Sequence, residues 1–420
     1  MAVRKVYTAA TFVVLISLGC IHTGLVHSKP SVRATIGSPV VLIPGDGGSH
    51  MLGKLNRTEV IHYFCRAHTD DFFNIWLNLE ELIPYIIDCW ADNIKLIYDN
   101  VTRTTADMPG VSVAIPDWGN TSSVEWLDPS KVSYGSYFAP LVDKMVALGY
   151  ERGVSVRGAP YDFRKAPNEG QVLLKNLTKL IEDTYAQNGH RRVVLITHSM
   201  GGPYALYLLN HKSQAWKDKY IKALASVGGP WVGAAKVLRL YASGDDLGAF
   251  VVNPLAVRPA QRTFPSSAWL FPNDDFWDPN EVLVSTPQKN YTMKDKKEYF
   301  DDLGIPFAYQ MWLDTKDLIH NVTAPGVPVF CLHGSGLDTP ERFIYDEKHK
   351  FPDTQPITIS GPGDGTVNMK SLKACLMWRK QQKHPVIEKD FPGNEHVAIL
   401  GNATLHQYII DNILTPNNKL

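Results

Sequence analysis

The feature that most constrains the fold of this 420-residue chain is the stretch from Arg192 to Gly202, which reads RVVLITHSMGG. An apolar run ends abruptly at Ser199, two glycines follow, and apolar residues then recur at helical spacing from Tyr204. A continuous apolar run is typical of a parallel strand buried on both faces, and recurrence every three to four residues is typical of a helix. The stretch therefore predicts a buried strand, a sharp turn at Ser199 and a helix.

A serine at such a turn is a candidate nucleophile. In a nucleophile elbow the turn exposes the hydroxyl, and the next backbone N–H helps to bind an oxyanion. Thr197 stands where the usual G-x-S-x-G pattern has its first glycine. The motif alone therefore does not separate a catalytic serine from an ordinary strand-to-helix turn.

The surrounding sequence alternates between strand and helix patterns. Strand patterns occur at 38–44, 153–158, 192–197, 221–227, 328–334, 357–359 and 386–391, and helical patterns at 134–150 and 172–185. This alternation predicts an α/β fold with a parallel, doubly wound sheet. The pattern breaks between 240 and 265, which we expect to be an irregular lid loop, and the region up to about 323 indicates an insertion rather than more sheet.

Two further residues fit a serine-based acyl transfer. Such chemistry needs a base and a carboxylate, which follow the serine in the order acid, then histidine, on hydrolase sheets. Asp364 and His396 occur in that order, each in a turn after a strand pattern. Because loops after parallel strands meet at one edge of the sheet, we predict that Ser199 is the nucleophile, His396 its base and Asp364 the orienting carboxylate.

The N-terminus is typical of an export signal. Arg4 and Lys5 precede an apolar stretch, and Ser28 is a small residue suited to a cleavage site, so we expect residues 1–28 to be a signal peptide. A membrane anchor is the alternative, although the stretch is short for a span. No bulk charge favours nucleic acid, since lysine plus arginine and aspartate plus glutamate number 42 each.

Cysteines and sequons agree with export. Removal of Cys20 with the signal leaves four cysteines, for which we expect the disulfides Cys65–Cys89 and Cys331–Cys375. Candidate glycosylation sites occur at Asn56, Asn100, Asn120, Asn176, Asn290, Asn321 and Asn402. Each sequon implies an exposed loop in a secreted protein.

The segment between Cys65 and Cys89 is unusually apolar for a surface loop. Pro84 would interrupt a continuous helix there. Two interpretations stay open from the pattern alone: a buried core helix, or an amphipathic element that inserts apolar side chains into a lipid surface.

Several long stretches resemble one known family. They are VLIPGD at 41–46, IWLNL at 75–79, DCW at 88–90, EWLDPS at 125–130, GAPYD at 158–162, HSMG at 198–201, QAWKDKY at 214–220, ASGD at 242–245 and GDGTVN at 363–368. Together they resemble the family of lysosomal phospholipase A (group XV) and lecithin–cholesterol acyltransferase over nearly all of the mature chain. RGAP at 157–160 and HSM at 198–200 are more similar to the phospholipase branch.

The resemblance implies an α/β-hydrolase core over 29–420, with a membrane-binding subdomain at 60–105 and a cap at 231–325 that carries the 240–265 lid. It implies the same catalytic residues, with backbone N–H groups of Asp46 and Met200 as oxyanion donors. It also favours the membrane interpretation of the disulfide-closed loop. The side chains expected to contact lipid are Phe72, Phe73, Trp76, Leu77 and Leu79.

The activity implied is that of a serine phospholipase A and acyltransferase, which passes an acyl group to water or to a lipid alcohol such as ceramide. It needs no metal or organic cofactor, and its partners are a phospholipid bilayer surface and its lipid substrates. The expected location is the lysosome, with secretion as the alternative. Other interpretations are a phosphatidylcholine–sterol acyltransferase acting on lipoproteins and an inactive lipid-binding protein. Gly47 and Phe163 depart from the family pattern and leave the acyl and acceptor preference open.

Asp46 suggests a dependence on pH. An ionised carboxylate beside the oxyanion hole would repel the negative charge that develops there, and protonation would relieve that repulsion. We therefore hypothesise that Asp46 favours activity at acidic pH.

Overall fold

The computed structural model describes residues 37–132, 135–246 and 252–415, so the predicted signal peptide at 1–28 lies outside the described residues. The strands are β1 (Val40–Ile43), β2 (Met51–Leu55), β3 (Phe73–Trp76), β4 (Leu96–Asp99), β5 (Thr104–Asp107), β6 (Val111–Ala114), β7 (Val156–Gly158), β8 (Val193–His198), β9 (Ile221–Val227), β10 (Val282–Ser285), β11 (Asn290–Thr292), β12 (Val329–Ser335), β13 (Leu337–Ile344), β14 (Ile357–Gly363) and β15 (Val386–Pro392). The α-helices are α1 (Ile86–Ile94), α2 (Ser122–Glu125), α3 (Ala139–Ala147), α4 (Gln171–Gln187), α5 (Gly201–Asn210), α6 (Gln214–Tyr220), α7 (Lys236–Ser243), α8 (Pro254–Gln261), α9 (Pro265–Trp269), α10 (Lys296–Asp302), α11 (Pro306–Thr315), α12 (Met369–Leu372) and α13 (Ala403–Ile409). Short 3₁₀ segments lie at Pro167–Glu169, Met293–Asp295, His320–Val322, Ala374–Lys380 and Ala398–Gly401, and a π-helical turn lies at Ile410–Leu414.

A parallel sheet of six strands, in the order β15-β12-β9-β8-β1-β7, forms the centre of the described chain. Alternate residues of its strands enter different cores. Val193 and Leu195 face the core that includes α4 and α5, whereas Val194 and Ile196 face the core that includes α3 and α13. Helices on both faces explain why these strands are continuously apolar, and the predicted doubly wound α/β-hydrolase fold is confirmed.

A second sheet, in the order β11-β10-β13-β14, was not predicted. The region up to about 323 was expected to be an insertion rather than more sheet. Its described residues add no strand to the central sheet, but β10 and β11 pair with each other and β10 pairs with β13. The strand before Asp364 is β14, which belongs to this second sheet and pairs with β13 in an antiparallel hairpin. The second sheet thus presents Asp364 beside the edge of the central sheet.

The predicted lid loop at 240–265 is only partly irregular. Helix α7 continues to Ser243, residues 247–251 lie outside the described part, and α8 begins at Pro254. Asn253 and Pro254 lie within the predicted loop, but the Asn253 side chain accepts a hydrogen bond from Leu255 N and caps α8. Proline suits the first helical position because it has no N–H to satisfy there.

The disulfide-closed segment is not the buried core helix that one of the two interpretations expected. It contains strand β3, which pairs with β2, and the start of α1, which follows Pro84. In the described ranges, no helix combines the length and apolar character that crossing a bilayer would require.

Candidate active site

The turn between β8 and α5 holds Ser199 in a strained conformation. Its φ of 51° lies in the left-handed region, which non-glycine residues seldom adopt. The turn fits because Gly201 packs directly on β1, where an added Cβ would lie 2.4 Å from the Ile43 carbonyl oxygen. Such outliers are retained at functional sites when the surrounding structure enforces them. The geometry is that of a nucleophile elbow.

Ser199, His396 and Asp364 lie in one hydrogen-bonded line. His396 Nε2 is 2.9 Å from Ser199 Oγ, and His396 Nδ1 is 2.7 Å from Asp364 Oδ2. The other carboxylate oxygen accepts hydrogen bonds from Val367 N at 2.7 Å and Thr366 N at 3.1 Å. All three predicted residues are therefore brought together, although one comes from the second sheet.

The carboxylate of this line is held in its charged form. Burial of Asp364 acts to raise its pKa, but the adjacent His396 and the backbone N–H donors outweigh burial and lower the pKa below its usual value. A carboxylate that stays ionised can orient the imidazole of His396 and stabilise its protonated form.

The turn at 45–48 lies against the nucleophile. An added Cβ on Gly45 would be 2.6 Å from Ser199 Cβ, so only glycine permits this approach. Among the described residues, the backbone N–H groups of Asp46 and Met200 donate no hydrogen bond to another protein group. Both predicted donors are thus free to bind an oxyanion beside Ser199.

Asp46 carries the unusual electrostatics that we hypothesised. Asp46 is exposed, at a turn in which Gly45 and Gly48 are buried. Desolvation first, and the charge of Asp245 second, raise the pKa of Asp46 to about 7. The group therefore changes charge between acidic and neutral pH.

Trp76 and Leu77 were predicted to contact lipid, and the structure buries both, at 7% and 6% exposure. Trp76 packs against Phe163, and its Nε1–H donates to the Gly47 carbonyl at 2.7 Å. Trp76 therefore supports the 45–48 turn, and its predicted orientation toward a membrane is wrong.

Other side chains of the disulfide-closed loop do reach solvent. Phe72 is 47% exposed, while Phe73 and Leu79 are half-buried. Further exposed apolar residues near the disulfide were not predicted: Ile61, Tyr63, Phe64, Ile83 and Tyr85. Residues 61–64 were not predicted because they precede Cys65, outside the longer apolar run that the fold partly uses as core.

Both predicted disulfides are present, Cys65–Cys89 and Cys331–Cys375. Six sequon asparagines are exposed, as glycosylation requires: Asn56, Asn100, Asn120, Asn176, Asn290 and Asn321. Asn402 differs, because it is half-buried and its side chain caps α13. Its amide also donates to Asn394 Oδ1 at 2.6 Å, which disfavours a glycan there.

Two residues near the hydrogen-bonded line of Ser199, His396 and Asp364 were not predicted to contribute to the site. His198 directly precedes the serine but was not predicted to contribute, and Tyr137 carries no local motif. The Tyr137 hydroxyl accepts from Gly45 N at 3.0 Å and contacts His198 Nδ1. Only a knowledge of the packing could have joined residues so far apart in sequence.

Comparisons with known proteins show the family to which the chain belongs. The family model described as "Lecithin:cholesterol acyltransferase" matches residues 72–403, which include Ser199, Asp364 and His396. The human protein named "Lysosomal phospholipase A and acyltransferase" is 46% identical over 389 residues, covering 93% of each chain. Proteins named "Phosphatidylcholine-sterol acyltransferase" are less similar: the chicken protein is 40% identical (88% of this chain, 89% of that one) and the human protein 38% (90% and 86%).

Proposed function

Because the chain belongs to the lecithin:cholesterol acyltransferase family, we propose that it is a serine phospholipase A and acyltransferase that uses Ser199, His396 and Asp364. The observation that carries these assignments is the continuous hydrogen-bonded line from Ser199 Oγ through His396 to Asp364. The phospholipase assignment is favoured over the sterol acyltransferase because the chain is 46% identical to the human phospholipase but 40% and 38% identical to the chicken and human sterol acyltransferases.

The first half-reaction transfers the acyl group to the enzyme. Ser199 Oγ attacks the ester carbonyl carbon of a glycerophospholipid while His396 Nε2 takes the hydroxyl proton. The carbonyl oxygen becomes an oxyanion facing the N–H groups of Asp46 and Met200. The intermediate collapses, His396 returns the proton to the leaving lysophospholipid oxygen, and Ser199 carries the acyl chain as an ester.

The second half-reaction releases that chain. Water or a lipid alcohol such as ceramide enters, His396 takes its proton, and its oxygen attacks the acyl-enzyme. Collapse of the second intermediate returns the proton to Ser199 Oγ. The balance between fatty acid and acylated alcohol depends on which acceptor reaches the acyl-enzyme.

A fluorophosphonate probe tests the catalytic assignments. We expect it to label wild type at Ser199 and to leave Ser199→Ala unlabelled, while His396→Ala should label at least 100-fold more slowly, on the magnitude of general base catalysis. Ser112→Ala, an exposed serine on β6, is the matched control and should label like wild type. A folded wild type that resists the probe would support an inactive lipid-binding protein instead.

We propose that residues 60–105 dock the enzyme on a phospholipid surface and that residues 231–325 form a cap over the site. Support for docking comes from exposed aromatic residues beside the disulfide, with Tyr63 at 98% and Tyr85 at 79% exposure. Aromatic side chains are well suited to a membrane interface because one end is apolar and the other polar. The disulfide Cys65–Cys89 holds both chain segments together.

Liposome sedimentation tests this docking surface. We expect Tyr63→Ser with Tyr85→Ser to reduce binding to phospholipid vesicles about 10-fold or more, since each lost apolar group costs about 1 kcal/mol of transfer free energy. Hydrolysis of a soluble ester should be unchanged. Val172→Ser, at a 72% exposed position on α4, is the control for loss of an exposed apolar residue. Equal binding by the double variant and wild type would refute the assignment.

We propose that the protein is exported and resides in lysosomes. Support comes from the N-terminal export pattern, the two disulfides and the relatives named for that organelle. Fractionation of cells with antibody detection tests this, and recovery of the protein mainly from the medium would favour secretion.

A further inference from the structure

Three loops of the site meet at one buried pair of side chains, Tyr137 and His198. Tyr137 is 4% exposed and His198 is 1% exposed. The Tyr137 hydroxyl receives the Gly45 N–H at 3.0 Å and contacts His198 Nδ1. On its other side, His198 Nε2 lies 2.9 Å from the His396 carbonyl oxygen. The pair therefore joins the 45–48 turn, the end of β8 and the loop of the catalytic base.

Every proton in this network has a defined place. A carbonyl oxygen can only accept, so His198 Nε2 carries a hydrogen and donates it to His396 O. Burial, followed by the charge of His396, lowers the pKa of His198 to about 3, so the ring stays neutral and Nδ1 has no hydrogen. Nδ1 therefore accepts the Tyr137 hydroxyl proton, and the hydroxyl oxygen accepts from Gly45.

The glycines of the turn pack directly on Tyr137. A Cβ on Gly48 would lie 2.8 Å from the Tyr137 hydroxyl oxygen, and one on Gly45 would lie 3.1 Å from it. The Tyr137 hydroxyl oxygen therefore lies close to both Gly45 and Gly48, and it accepts a hydrogen bond from Gly45 N. The next residue along the chain is Asp46, whose N–H is the proposed oxyanion donor.

We propose that Tyr137 and His198 are positioning residues, which hold the oxyanion turn, the nucleophile and the base in register through one hydrogen-bonded chain. The chain runs from Gly45 N–H through Tyr137 and His198 to the backbone of His396. This inference rests on the proposed function, because it assigns a task to residues that never contact the reacting atoms.

The neutral state of His198 is part of this task. Its ring centroid is 4.9 Å from that of His396, which becomes positively charged during each proton transfer. A second charge at that distance would oppose the transfer. Since the Nε2–H of His198 bonds to the backbone of His396 rather than its ring, the loop stays fixed while the His396 ring gains and loses its proton.

The test compares Tyr137→Phe, His198→Gln and the double variant, with each kcat normalised to the sites labelled by fluorophosphonate. We expect kcat to fall roughly 10- to 100-fold in each single variant, since small displacements of reacting groups have effects of that size, with KM within about twofold. The double variant should be no slower than the slower single one, because both break the same chain. Tyr150→Phe is the matched control: it removes another tyrosine hydroxyl, which donates to Ser38 O at 2.9 Å, and should keep wild-type kcat.

The kinetic results either support or overturn the positioning role of Tyr137 and His198. Normalised kcat within twofold of wild type in Tyr137→Phe, or losses that multiply in the double variant, would overturn the proposal. If Tyr137→Phe fails to fold, the His198→Gln comparison alone decides in the same way. Failure of the proposed function is distinguishable, because wild type would then resist the probe.

Discussion

Asp46→Asn is the perturbation that best links the electrostatics of the site to its activity. The substitution keeps the size and the backbone N–H of the residue but removes its charge. Desolvation and Asp245 raise the pKa of the Asp46 carboxyl to about 7. The group is then about 1% ionised at pH 5 and about 90% ionised at pH 8 by simple titration.

The structure bounds the effect of that charge. The Asp46 carboxylate lies within about 5 Å of its own backbone N–H, so its repulsion of an oxyanion bound there is roughly 3 kcal/mol at an effective dielectric constant of about 20. Solvent at this exposed side chain screens part of the repulsion. We therefore expect about 1–2 kcal/mol, or about a 5- to 30-fold loss of rate when the group ionises.

The assay measures kcat/KM on a soluble ester from about pH 4 to about pH 8, which excludes effects of membrane binding. We expect the wild-type rate to fall as pH rises through about 7 and the rate of Asp46→Asn to persist. Because the folded state binds this proton more tightly than the unfolded chain, the stabilising effect of Asp46 is complete below pH 3.8 and is lost as pH rises through about 7. Thermal unfolding of the variant should therefore improve relative to wild type over that window. Parallel rate profiles for the two proteins would refute the reasoning.

Three other predictions follow from packing. Gly45→Ala should lower kcat at least 100-fold, because the added methyl would lie 2.6 Å from Ser199 Cβ; steady-state kinetics would reveal this, and near-normal activity would contradict the described turn. Trp76→Phe removes the hydrogen bond to the 45–48 turn and should slow hydrolysis of soluble and liposomal substrates alike, with normal sedimentation on vesicles; a defect confined to liposomes would restore the membrane role. Asn402→Gln should leave the glycoprotein mass unchanged, whereas Asn176→Gln should reduce it, as intact mass spectrometry would show; a loss of mass from Asn402→Gln would be the contrary result.

The central sheet could be predicted because its strands are buried on both faces. The strand expected at 221–227 was found with those bounds as β9. The second sheet was missed for the opposite reason: β13 reads LDTPERFI, with charges, a proline and half-exposed positions. A strand that pairs at the periphery leaves little periodic signal, and its partner β10 is distant in sequence.

The site residues that follow strands could be predicted from the sequence, whereas the residues whose position depends on tertiary packing were missed. The expected line of Ser199, His396 and Asp364 formed because chain order and turn positions limited the choices. The prediction for Trp76 was wrong and Tyr63 was not predicted, because an apolar residue fits a core and a lipid surface equally well. Only the fold shows which of them is buried.

The hairpin of β13 and β14 governs which changes of chain length this enzyme can accept during evolution. Leu337 pairs with Gly363 at its open end, so the register of the two strands decides where Asp364 emerges. Side chains alternate faces along a strand, so loss of one residue from β14 would turn the carboxylate away from the imidazole, while loss of two would keep the face. Related chains should therefore gain or lose residues of β14 two at a time, and Asp364 itself should be unchanged.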